Sequence, residues 1–226
     1  SQSSDAIINL ERVKEICAEN MDYLLQHHIQ YVLEEIERKS KPNSLFIKKV
    51  KPNTKPFALT MEAWNQTCAP QAGKRTASIL EMWGDLYGGD MNFAPTINEF
   101  NIVLDTYAKC SSGDYDSYTK DSYPAELAWE LYSILSRLDD PTLLPNIASC
   151  SHLVQALSNH AFVMKYAKKT FETQMDSEIA AIRAYFIWKS MVDMINEKKE
   201  ITNDELELAW RAHVNMLTMS SDAMLR

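Results

Sequence analysis

The chain has 226 residues, of which 46% are apolar and 24% charged, with a formal net charge of −8. That length suits one folded unit with a sizeable core or a short superhelix. The acidic balance excludes a protein that coats nucleic acid over its whole surface, because phosphate binding needs a positive field; a local basic site remains open.

Only five glycines occur, and Gly84, Gly88, Gly89 and Gly113 fall at or near predicted helix ends. Alternating strand-like runs are scarce, so the expected fold class is all-α. Cys17, Cys68, Cys110 and Cys150 are far apart and fit neither a CxxC metal pattern nor a dense disulfide framework, which points to a reducing compartment. Arg183 and Lys189 interrupt the most hydrophobic segment, Ala180 to Met194, so no membrane span is expected and the chain reads as soluble. A start at Ser1 without Met fits a mature form whose targeting segment has been removed. The single sequon, Asn65 to Thr67, closes a predicted helix and reads as chance.

In chain order, residues 5–41 form an N-terminal helical cap. Leu10, Val13, Cys17, Leu24, Val32 and Ile36 recur at helical spacing there, with room for a turn at Asn20 to Asp22. A basic connector follows, in which Arg38, Lys39, Lys41, Lys48, Lys49, Lys51 and Lys55 occur without an intervening acid.

Three stretches then repeat one pattern: PNTKPFALTMEAWNQ from Pro52, PTINEFNIVLDTYAK from Pro95 and PNIASCSHLVQALSN from Pro145. Each opens on a proline and carries side chains for burial at i, i+3, i+4 and i+7. These are Phe57, Thr60, Met61, Trp64; Phe100, Val103, Leu104, Tyr107; and Cys150, Leu153, Val154, Leu157. Each copy is followed by a second helix, expected over Lys74 to Tyr87, Pro124 to Leu138 and about Met164 to Met175. The three pairs occupy about 52–92, 95–141 and 145–175, within a repeat region of 50–175. Neither helix of a pair hides its stripe alone, so the pairs are expected to stack. The middle turn, Ser111 to Pro124, is polar but carries Tyr115, Tyr118 and Tyr123, which suits a protein-contact loop. Residues 176–219 add a C-terminal helix pair. Its first helix is apolar through Ile179, Ile182, Tyr185, Phe186, Trp188, Val192 and Ile195, and its second opens on the capping-box spacing of Thr202 and Glu205.

The proline-to-aromatic opening, best kept as Pro95, Phe100 and Asn101, with the following LDTYAK and the second-helix run AELAWELYSIL, resembles the pentatricopeptide-repeat family in an irregular, degenerate form. The resemblance covers about Val50 to Met175. It implies a short right-handed α-solenoid of helix-turn-helix pairs with capping helices at both ends, single-stranded RNA as a ligand, and a plastid or mitochondrial location. In that family, one base is read by the residue after the aromatic together with the residue after the next repeat's proline. The matching pair in the middle unit is Asn101 with Asn146. Ser151 holds the first position of the third unit, whereas Ala58 in the first unit offers no hydrogen bond.

Every candidate has a plainer alternative. Lys48, Lys49, Lys51 and Lys55 track a phosphate backbone or form a solvated linker. Asn101 and Asn146 read bases, or are an exposed helical amide and a cap. Trp64, Trp83, Trp129 and Tyr107 read as core. His27 and His28 are adjacent and invite a metal, but no E-x-x-H occurs and His152, His160 and His213 stand isolated, so no metal and no cofactor are expected. No P-loop, G-x-G-x-x-G, G-x-S-x-G or H-E-x-x-H motif occurs, and no catalytic residues or enzymatic activity are expected.

The function expected first is a non-catalytic scaffold or accessory subunit, with protein subunits of a larger organellar assembly as partners. The alternative is a single-stranded RNA-binding module of organellar RNA metabolism; double-stranded DNA is not an expected partner. The acidic balance, the few units and the missing reader at Ala58 favour the scaffold.

Overall fold

The computed structural model describes residues 2–39, 53–67, 69–87, 89, 92–111, 123–166, 171–198 and 200–224. Among them are eight α-helices and no strand, so the protein is all-α. They fall into two compact units, Ser1–Pro95 and Thr96–Arg226, where the sequence suggested a single one.

In the first unit, α1 (Gln2–Lys39) packs on α2 (Lys55–Asn65), which packs on α3 (Ala72–Tyr87). The 38 residues of α1 form one continuous helix, with no turn at Asn20 to Asp22. Its buried seam shares only Val32 with the part of the expected stripe that can be compared: Ala18, Leu25 and Val32 are inside, while Val13, Cys17 and Leu24 are exposed. A seven-residue step keeps a narrow line of side chains against one neighbouring helix, and α2 is the helix on which α1 packs. Phe57 anchors this core, with its ring 5.5 Å from Trp83 and 6.0 Å from Tyr87. The Trp83 indole donates to the Phe93 carbonyl at 2.7 Å, which ties the turn after α3 to that core.

The second unit is built on α6 (Ile147–Tyr166). It packs against α4 (Ile97–Cys110), α5 (Pro124–Leu135), α7 (Phe171–Glu197) and α8 (Asn203–Met224). Two capping boxes fix helix starts. Thr96 and Glu99 bond reciprocally before α4, and Thr202 and Glu205 do so before α8, as their spacing predicts. Pro124 takes a first-turn position in α5, where its missing N–H has no partner to lose.

The four-position stripe of the repeated stretches is the buried face of α2, α4 and α6. Of the twelve side chains, only Phe100 is half-buried and the rest are inside. The expected partner helix over 164–175 is not a separate element: 164–166 finish α6, and 171–175 already belong to α7, which continues without a break to Glu197.

Candidate functional site

Helices α7 and α8 form an antiparallel pair across a short turn. Their register is set by the Lys198–Glu205 ion pair near the turn and by Trp188 facing His213, with ring centroids 5.6 Å apart. The side of α7 that meets the core is Ala180, Ala184, Ile187 and Met191, and α8 contributes Ala209 and Ala212. Alanines let the two backbones lie close to α6, where Ser151 donates to the Leu208 carbonyl at 2.8 Å.

Of the seven large apolar side chains that mark α7 in sequence, Trp188, Val192 and Ile195 are half-buried and the other four lie outside. Ile179, Ile182, Tyr185 and Phe186 are exposed on α7, and Leu206, Trp210, Val214 and Leu217 share one face of α8 at steps of four, four and three. Phe186 is 60% and Trp210 64% exposed. Tyr185 lies 5.9 Å from Phe186 and 6.2 Å from Trp188, and His213 lies 5.9 Å from Trp210. A continuous file of rings therefore joins the two helices. Large apolar side chains left exposed together on one helix pair mark an interaction surface.

The helix pair is acidic in sequence. Residues 171–224 hold ten carboxylates against five Lys or Arg. Three of those cations are engaged: Lys198 with Glu205, Arg211 with Glu207, and Arg183 with Glu126 at 2.8 Å. The Arg183 guanidinium also sits 4.7 Å over the Trp129 ring, which closes one side of that indole.

The two amides expected to read a base are held by each other. Asn101 is 7% exposed, and its Nδ2 donates to Asn146 Oδ1 at 3.2 Å. Its Oδ1 accepts the Ser149 hydroxyl at 2.6 Å. Asn146 caps α6, with Oδ1 accepting the Ser149 N–H at 3.0 Å while the Asn146 N–H donates to Ser149 Oγ at 3.1 Å. Asn101 is thus a buried amide, neither an open reader nor the exposed one of the plainer alternative, whereas Asn146 is the cap that alternative names.

Ser151 is 4% exposed and spent on α8. Lys55 begins α2 and is exposed. Tyr123 is half-buried with its ring 5.2 Å from His160. Lys48, Lys49, Lys51, Tyr115 and Tyr118 lie outside the described residues.

Buried protic groups serve packing. Burial pushes the Tyr107 phenol up to about 12 and the Cys150 thiol up to about 11, although the Tyr132 hydroxyl 3.4 Å from Cys150 pulls the thiol back down. A thiol held protonated is a poor nucleophile. In the first unit, a cleft of 340 Å³ is lined by Glu19, Asp22, Tyr23, Gln26, Trp64, Gln71 and Arg75. Its charged groups form one loose ion pair, Asp22 with Arg75 at 3.9 Å, with no nucleophile beside a base. No three metal-ligating side chains converge, and no helix is long and apolar enough to cross a membrane, among the described residues.

Fold and surface together define an all-helical protein with a broad aromatic face on its last helix pair. No family model, curated protein or solved structure matches the chain.

The sequence reading passed over Leu206, Trp210, Val214 and Leu217. A signal was present: α7 carries an alanine-rich stripe and a separate stripe of large apolar side chains, more than one contact face can cover.

Proposed function

We propose that this chain is a non-catalytic helical interaction protein, a scaffold or accessory subunit that holds a protein partner on the outer face of α7 and α8. The observation that carries the reading is the file of rings Phe186, Tyr185, Trp188, His213 and Trp210, exposed at Phe186, Tyr185 and Trp210 and half-buried at Trp188 and His213, with exposed Ile182 and Leu206 on the same two helices. Apolar surface exposed to water has a standing free-energy cost that a partner removes. The same proposal includes the pentatricopeptide-like character of the helix pairs, their stacking as a short right-handed solenoid between capping helices, and an organellar assembly as the setting.

Two features favour a protein over single-stranded RNA. The amides of Asn101 and Asn146 are bound to each other, and carboxylates outnumber cations across the helix pair, where an RNA backbone needs positive charge.

The test pairs two measurements. Photo-cross-linking from a benzoylphenylalanine at position 186 is expected to capture one reproducible protein, which then binds the purified chain. Anisotropy with mixed-sequence single-stranded RNAs at several salt concentrations is expected to show no binding. Micromolar RNA binding that weakens with salt, together with no protein cross-link, sinks the proposal.

A further inference from the structure

Resting on that reading, we infer that the occupant of the α7–α8 face is a basic amphipathic helix of a partner protein. Two antiparallel helices leave a groove between them whose width suits a third, and the file of rings crosses that groove where Trp188 meets His213. Ile182, Tyr185 and Phe186 on α7 and Trp210 and Val214 on α8 supply exposed apolar side chains beside it.

The charge of the rim selects among occupants. On α7 the exposed face continues from Phe186 through Asp193 to Glu197, steps of seven and four that keep one side of the helix, and Asp204 and Glu207 stand exposed on α8. Of the five cations in 171–224, Arg183, Lys198 and Arg211 are already bound to carboxylates, Arg211 to Glu207 itself, and Lys189 is exposed one turn from Phe186, so Asp193, Glu197 and Asp204 leave the rim with an excess of negative charge. A second copy of this chain would bring the same excess of carboxylates against itself, and a nucleic acid would bring phosphates. A helix with Lys and Arg beside its apolar stripe instead meets opposite charge at the rim, and its cations lie over the faces of Tyr185 and Trp210.

The test uses the full chain and three labelled 18-residue helical probes that share one Leu stripe and carry Lys, Glu or Gln on the other face. Anisotropy is expected to show the Lys probe binding at least about tenfold tighter than the Glu probe, with the difference shrinking as salt screens it. Phe186→Ser with Trp210→Ser is expected to abolish binding of the Lys probe. Asp193→Lys with Glu197→Lys, at exposed positions apart from those apolar side chains, is expected to lower affinity for the Lys probe and raise it for the Glu probe. Circular dichroism confirms that both variants fold.

Equal binding of all three probes, lost in the Phe186 and Trp210 variant, overturns the basic partner and leaves the interaction face standing. Binding of none, or binding that both variants retain, overturns the basic helix outright. In that case the cross-link from position 186 decides whether the interaction reading falls with it. Concentration-dependent dimerisation lost in the Phe186 and Trp210 variant assigns the face to a second copy and also overturns the inference.

Discussion

Asn101→Ala separates a structural amide from one that waits for a ligand. In the folded chain the Asn101 side chain makes two buried hydrogen bonds, to Asn146 at 3.2 Å and from Ser149 at 2.6 Å. A buried neutral hydrogen bond contributes about 1 kcal/mol net, so the substitution is expected to cost about 2 kcal/mol. The loss stays near that figure because the Ser149 hydroxyl, once Asn101 is truncated, turns its proton to Asn146 Oδ1, 3.1 Å away.

Asn146→Ala is expected to cost more, about 3 kcal/mol. It removes the cap of α6 and also strands the Asn101 N–H₂ in the interior. Native-state hydrogen exchange followed by mass spectrometry reads this locally, in peptides from 97–110 and 147–166. A loss of 2 kcal/mol appears there as exchange faster by about thirtyfold. The double variant should depart from additivity by at least about 0.5 kcal/mol, since the two amides share a bond. If exchange in Asn101→Ala stays within about threefold of the parent, the amide is not structural, and a base-reading role regains its claim.

The two faces of α7 should respond oppositely to substitution. Ile182→Ser and Phe186→Ser, outside, are expected to change stability by no more than about 0.5 kcal/mol, whereas Ala184→Leu, inside, overpacks the α6 contact and costs about 1–3 kcal/mol in urea unfolding. Gly84 lies within α3, and a Cβ there meets nothing within 4 Å, so Gly84→Ala should raise stability by up to about 1 kcal/mol; a lowered midpoint contradicts this. Under native conditions a thiol reagent should label exposed Cys17 in preference to Cys110 and Cys150, and peptide mapping that finds Cys150 labelled as fast refutes its burial.

Burial holds the His160 pKa below the usual histidine value; Glu126 and Asp176 pull it up, and Arg183 pushes it down. The unfolded chain therefore binds this proton first as pH falls. The stability His160 contributes is complete above about 6.5 and drains away as pH drops toward the depressed folded value. His160→Gln should flatten that decline in urea midpoints between pH 7.5 and 5, and parallel slopes would count against it.

Much of the fold was legible because helical burial repeats locally. The stripes from Phe57 to Trp64, Phe100 to Tyr107 and Cys150 to Leu157 lie within single helices, and so do the caps at Thr202 and Pro124. Which of two competing stripes turns inward is not local. Helix α1 offered Val13, Cys17 and Leu24 as readily as Ala18, Leu25 and Val32, and α7 offered Ile182 and Phe186 as readily as Ala180 and Ala184. Large side chains carry the stronger hydropathy signal, so periodicity alone favours the wrong face. The close approach of α7 and α8 to α6 reverses that choice, because only small side chains fit between the backbones.

The candidate site divides the same way. Asn101 and Asn146 stand out in sequence as polar residues at marked places, but their distance of 3.2 Å is a property of α4 meeting the start of α6. The sequence by itself determined that this protein is helical, where most of its helices begin, and which face of each repeated stretch is buried. Tertiary structure alone decided that those amides satisfy each other and that the aromatics of α7 and α8 face water. Helix formation is governed by neighbours one turn apart, whereas the partner of a buried amide and the exposure of a ring depend on residues some fifty positions away that only packing brings near.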